Sequence, residues 1–313
     1  MAVGKRVGFG EYQFELVEGW PKVEIEGGIA DVTCDAQGRV YAGVRNRQET
    51  GKPGNIFGGG GHVLVLDRDG NLVANWGNIC SSPHGIWINE AGEIFLSDTG
   101  DHVVTKHAPS GEVLLTLGTR GQAGAPGAAF NMPTHAVEGP NGDIFVSDGY
   151  GQNRIHRFSA KGEHIVSFGG GDSVFLYRRF GTGPEGGVQG TGPGEFNVPH
   201  DVSVDRDSRV YVLDRENNRW QVFSEDGEVE SILDGLDHPN KIVLDAAGNF
   251  NLVGAGGVEV RRPDGTFVGR WGEKGDGPGQ FIATVHGGWI DDQGSLYMAE
   301  AGFINRLQKF ARV

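Results

Sequence analysis

The chain is predicted to fold as an all-β, six-bladed propeller, and three observations predict it. The 55 glycines among 313 residues are spread along the whole chain, which implies many tight turns rather than one flexible linker. No stretch sustains a 3.6-residue apolar period over three turns, whereas short apolar runs bounded by Gly, Asp, Asn and Pro recur throughout. Those runs group into repeats of one unit, and an internal period of this kind overrides the two domains that length alone suggests. A single domain spanning residues 1–313 is therefore expected.

The unit is clearest in three stretches: GIWINEAGEIFLSDTGDHVVTKHAPSGEVLLTLG, HAVEGPNGDIFVSDGYGQNRIHRFSAKGEHIVSFG and DVSVDRDSRVYVLDRENNRWQVFSEDGEVESIL. Each reads as strand, turn, strand ending in Asp, short loop, strand, Gly turn and fourth strand, the pattern of a four-stranded antiparallel blade. Weaker copies begin at Asp31 (DVTCDAQGRVYAGV), Lys241 (KIVLDAAGNFNLVG) and Gly287 (GGWIDDQGSLYMAE), which brings the count to six. The last copy ends after three strands at RLQKFARV, while Tyr12 to Val17 (YQFELV) forms a strand with no blade of its own. Placing that strand on the outer edge of the last blade closes the ring and hides an exposed sheet edge. Two insertions interrupt the period, Arg47 to Gly61 and Gly169 to Val198, the second carrying Phe175, Tyr177, Arg178 and Arg179. Long loops on a rigid scaffold often wall a binding site.

The formal charge of −14 opposes nucleic acid and anionic membranes, which both require a basic footprint. No apolar run reaches the roughly 18 residues of a membrane span, and the N-terminus lacks a signal-peptide core. With only Cys34 and Cys80 there is no disulfide framework, so a cytoplasmic protein is expected, and it is read as a monomer.

The residue just before each innermost strand is, in order, Ala30, His84, Thr134, His200, Asn240 and His286. Three alternate positions are therefore His, and a closed ring aims their imidazoles at the axis from directions about 120° apart. Three protein ligands with an open position is the catalytic zinc pattern, whereas structural zinc sites are closed by four. Imidazole suits iron as well, and the sequence leaves zinc and iron open. A lone histidine in a Pro-His turn more often bonds locally, and it is the threefold recurrence that favours metal. The loops after the second strands lie on the same face and bring Arg45, Tyr150 and Arg215 there. Asp98, Asp148, Asp214 and Glu300 recur at one place in the unit and are read as ties for the loop backbone. His135, directly after a mouth position, is placed behind the ligands.

The runs S-D-G-Y-x-x-N-R-I and V-P-H…D-R-E-N-x-R resemble peptidyl-α-hydroxyglycine α-amidating lyases, and the repeat itself resembles NHL propellers. The resemblance covers nearly the whole chain. It implies a zinc held by His84, His200 and His286, with Tyr150 as base on the substrate hydroxyl and Arg45 and Arg215 as active-site arginines; VRNRQE leaves Arg47 as an alternative to Arg45. The reaction implied is C–N cleavage of a carbinolamide, giving an amide and glyoxylate. Tyrosine, with an ordinary pKa of about 10, needs cationic neighbours to act as a base, and Arg45 and the metal are expected to supply them, leaving Arg215 to orient a substrate carboxylate. The family carries P-H-D around its third histidine, where the aspartate helps to bind calcium. Here the run is Thr284-Val285-His286-Gly287, which argues against a calcium site. The expected substrate is a small molecule or modified peptide bearing a hydroxyl beside nitrogen. The rival readings are a zinc hydrolase or hydratase using the same three histidines, and a non-catalytic NHL-type binding scaffold.

Overall fold

The computed structural model describes residues 5–46, 59–124, 130–170, 173–174, 188–281, 285–301 and 306–313. The six blades of the repeat are all present, five of them with four antiparallel strands in sequential order and the last with three strands joined by two from the N-terminus, so the chain is a six-bladed β-propeller. It divides into two compact units, one with blades one, five and six, the other with blades two, three and four.

In the first unit, blade one runs through Gly28–Cys34, Val40–Arg45, Gly61–Leu66 and Leu72–Asn75, and blade five through Lys241–Leu244, Phe250–Gly254, Gly257–Arg261 and Phe267–Trp271. Blade six has Val285–Ile290, Leu296–Glu300 and Arg306–Arg312, and takes its fourth strand from the N-terminus, Tyr12–Leu16. Phe14 faces Arg312 and Leu16 faces Phe310 in that antiparallel pair, so the spare strand sits where the sequence predicts. Beyond it lies a strand the sequence reading did not foresee, Arg6–Phe9, paired with Tyr12–Leu16. Its Phe9 ring occupies the space a Cβ on Gly269 would need, which explains a glycine within blade five's outer strand. The strand exchange is held by a core containing Phe14, Trp271, Phe281 and Phe310. Phe14 and Phe310 are 0% exposed, and each full burial stabilises the fold by about 2–3 kcal/mol.

In the second unit, blade two comprises Pro83–Ile88, Ile94–Asp98, Val103–His107 and Val113–Leu117, and blade three His135–Glu138, Ile144–Asp148, Arg154–Phe158 and His164–Gly169. Blade four comprises Pro199–Val204, Val210–Asp214, Arg219–Phe223 and Val229–Asp234. The second strands, IFLSD, IFVSD and VYVLD, are buried throughout, because neighbouring strands and blades cover both faces, and an apolar run with little alternation suits that position. The fourth strands are largely exposed, with Val113 and Leu114 on the outside. Within the second insertion, Ser173–Val174 pairs with Val188–Gln189. Phe175, Tyr177, Arg178, Arg179 and Arg47 lie outside the described residues, as does Thr284.

Candidate metal centre and its surroundings

The strand-end carboxylates build the platform on which the site stands. Asp98 accepts from the backbone N–H groups of Ser81 and Ser82, both at 2.8 Å, and so holds the segment leading to His84. Asp214 accepts from Asn197 N at 2.6 Å ahead of His200, and Asp148 from Asn131 N at 2.7 Å ahead of Thr134. Burial pushes the Asp98 and Asp214 carboxyls above their ordinary value, with these hydrogen bonds opposing it. In blades two, three and four the recurrence is thus structural, one carboxylate fixing the approach to each mouth position, whereas Glu300 of blade six accepts from the Arg306 and Gln308 side chains. Met132, Val198 and His238 stand in the left-handed region, with φ of 68°, 59° and 45°, and each is followed by a proline and then a mouth residue. Proline disfavours the right-handed helical region for the residue before it. For a β-branched residue such as Val198 a positive φ is an outlier, held here by Asn153 Oδ1, which accepts from its N–H at 2.7 Å.

In the unit of blades two to four, His84 and His200 converge, ring centroids 4.8 Å apart, and are 3% and 2% exposed. His84 Nδ1 lies 2.7 Å from the carbonyl oxygen of Thr134. A carbonyl only accepts, so Nδ1 carries the proton and Nε2 of the neutral ring presents its lone pair. Thr134 is itself pinned by its hydroxyl, which lies 3.0 Å from the carbonyl oxygens of both Ser147 and Pro199 and can donate to either. Tyr150, at the start of blade three's second loop, places its hydroxyl 3.0 Å from His84 Nε2 and 3.1 Å from His200 Nε2. Arg215 stands behind it, Nη1 3.4 Å from that hydroxyl and the guanidinium 5.5 Å from the ring centroid. Its Nε and Nη2 donate to Glu216 Oε1 at 3.0 and 2.8 Å. This engages the Nε–Nη2 edge of the guanidinium, while Nη1 faces Tyr150. The imidazole of His238, 3.6 Å from Glu216, and then Arg215 hold the Glu216 carboxyl down to about 2 against the opposing effect of burial.

In the other unit, His286 repeats the local device of His84. Its Nδ1 lies 2.6 Å from the carbonyl oxygen of Ala30, the mouth residue of the next blade, just as His84 uses Thr134. Nε2 of His286 is therefore also the lone-pair nitrogen. Arg45 ends blade one's second strand, half-buried, its backbone opposite Gly28. It matches Arg215 in the repeat.

Among the described residues, His84, His200 and His286 make up a group of histidines able to hold a metal ion. The donor set fits: two of the three rings commit Nδ1 to a backbone carbonyl, which fixes the tautomer and orients Nε2, as ligating histidines commonly require. Cys80 takes no part in the group; it is buried, and its backbone bridges to Gly61. His135 lies beside Asp201, Nε2 3.4 Å from Oδ1. Glu216 and His238 were missed by the sequence reading, although the D-R-E-N run places a carboxylate beside Arg215 in plain view.

Residues 196–223 match the NHL repeat family model. The chain is 31% identical over 231 residues to NHL repeat-containing protein 3 of Homo sapiens, covering 68% of this chain and 57% of that protein. It is 31% identical over 165 residues to a probable peptidyl-α-hydroxyglycine α-amidating lyase of Caenorhabditis elegans, covering 52% of this chain and 43% of that one. The chain thus spans about half the length of these curated relatives. Among solved structures, a gluconolactonase from Xanthomonas campestris superposes with a TM-score of 0.64 at 12% identity, covering 99% and 98% of the two chains, a likeness of fold alone. The chain is thus a propeller that carries an NHL repeat at residues 196–223 and is similar to NHL repeat-containing proteins and to the amidating lyases. No helix of the described residues is long and apolar enough to cross a membrane.

Proposed function

We propose that this NHL propeller is a zinc-dependent lyase that cleaves the C–N bond of an α-hydroxyglycine-like carbinolamide. The observation that carries the reading is the Tyr150 hydroxyl, held between His84 Nε2 and His200 Nε2 with Arg215 behind it. The similarity to proteins named as amidating lyases supports the reaction class.

His84, His200 and His286 would hold the metal through Nε2. Zinc bound there supplies a Lewis acid that acidifies a hydroxyl placed against it. Tyr150 Oη takes the proton from the substrate's α-hydroxyl. The oxygen's electrons form the carbonyl of glyoxylate, the C–N pair moves to nitrogen, and the proton returns to nitrogen to give the amide. Arg215 donates toward Tyr150 and stabilises negative charge on the phenolate oxygen. With its other edge held by Glu216, Arg215 serves the base, and the substrate carboxylate falls to Arg45, whose guanidinium can bind it in bidentate fashion. The substrate is a small molecule or a modified peptide, and the −14 charge leaves nucleic acid and anionic membranes out of the proposal.

The test is conversion of an N-acylated α-hydroxyglycine by the metal-loaded protein. Amide and glyoxylate should appear in equal amounts, and His84→Ala should abolish both turnover and bound metal. If His84→Ala left both unchanged, the reading would be lost. Running the reaction in ¹⁸O-labelled water, with carbonyl exchange controlled, separates it from a hydrolase, which would place solvent oxygen in a non-exchanging product.

A further inference from the structure

The positions directly after the mouth residues are equivalent in the repeat: Asp31, Gly85, His135, Asp201, Lys241 and Gly287 in blade order, one layer of each blade. In the unit of blades five, six and one, this layer contains a closed ion pair. Lys241 Nζ donates to Asp31 Oδ2 at 2.9 Å, joining blade five to blade one past blade six, and both side chains are 4% exposed. The second oxygen of Asp31 is also taken, since Oδ1 accepts from Val32 N at 2.9 Å and from Gly288 N at 3.2 Å. Gly287 gives Asp31 its room: a Cβ there would lie 2.3 Å from Oδ1 and 2.5 Å from the Asp31 Cα. A carboxylate at position 287, the feature that would help build a calcium site, therefore has no space, and both oxygens of the carboxylate that is present are engaged. Calcium needs six to eight oxygens at about 2.3–2.6 Å, most of them able to turn toward it. These residues do not fit it.

We infer that Lys241 is the resident cation of this layer, neutralising Asp31 from within the chain so that the propeller folds without calcium. A buried carboxylate left without its partner is strongly destabilising, so the ammonium is required wherever Asp31 is ionised. The inference rests on blades five, six and one alone and is independent of the histidine metal and of the proposed reaction.

The experiment uses the full chain in buffer freed of calcium on a chelating resin, so that no soluble chelator strips the histidine site, whose metal content is measured on the same samples. Wild-type protein should bind no stoichiometric calcium in equilibrium dialysis, and it should melt at the same temperature in millimolar calcium as in millimolar magnesium. Lys241→Met should melt lower by about 5 °C or more, with Lys241→Arg far less affected. Should Lys241→Met fail to fold, the double variant Asp31→Asn/Lys241→Met is measured instead. It leaves no uncompensated charge and should recover folding. Stoichiometric calcium on the wild type, a calcium-specific rise in its melting temperature, a Lys241→Met protein as stable as wild type, or a double variant no better folded than the single one would each overturn the inference.

Discussion

Replacing Tyr150 with Phe removes one oxygen from the centre of the site and little else. That oxygen lies 3.0 Å from His84 Nε2, 3.1 Å from His200 Nε2 and 3.4 Å from Arg215 Nη1. The ring keeps its packing against Met132 and Val198, so the fold should lose only about 1 kcal/mol, the usual worth of a hydrogen bond. If the hydroxyl is the base, its loss removes a proton-transfer contribution of roughly 10²–10⁴ in rate, or about 3–5 kcal/mol of transition-state stabilisation. The assay is kcat/KM for glyoxylate release from an N-acylated α-hydroxyglycine, with metal per chain determined on the same preparation. The expected result is a rate lower by about 10² or more at unchanged metal content, since the ligands are histidines. Activity within about tenfold of wild type, with metal retained, would refute the assignment of Tyr150 as base.

Glu216→Gln should release Arg215 from the orientation that serves Tyr150, lowering kcat by roughly tenfold while metal content stays constant. The same substitution should alter the acid limb of stability. The Glu216 carboxyl, held at about 2 in the folded chain against 4.5 ordinarily, stabilises the fold fully above about pH 4.5 and loses that contribution as pH falls toward 2. Melting temperatures measured across this window should thus fall less steeply for Glu216→Gln than for wild type. Gly85→Ala would set a Cβ 2.2 Å from His135 Nδ1 and 2.5 Å from the Thr134 carbonyl oxygen that receives His84. It should cost about 1–3 kcal/mol in chemical denaturation and weaken metal retention at the same time.

The period, the blade order and the borrowed N-terminal strand were legible because each depends on local pattern: alternation, Gly turns and a count of strands. The metal candidates were legible for a related reason. A propeller converts equal places in the repeat into equal places on one face, so His84, His200 and His286 declare themselves by position. What escaped the sequence depends on distance or on local geometry without a signature. Lys241 and Asp31 meet across 210 positions of chain, and no spacing rule connects them. Glu216 was visible beside Arg215, but its grip on the guanidinium follows from the short 3-10 turn Arg215–Asn217, which brings neighbouring side chains together as a strand would not. The strand Arg6–Phe9 is four residues with one glycine, too short for alternation to mark it. The left-handed Val198 runs against its own residue preference and is held by Asn153, a partner 45 residues away that no local pattern marks.

The central claim is a metal held by three histidines, and elemental analysis of protein purified without chelator tests it most directly. Wild-type protein should carry close to one equivalent of zinc or iron per chain. His84→Ala, His200→Ala and His286→Ala should each lose most of it while remaining folded, melting as cooperatively as metal-free wild-type protein. Metal-free wild-type protein that takes up none on dialysis against zinc, or three variants that keep the wild-type content, would contradict the account.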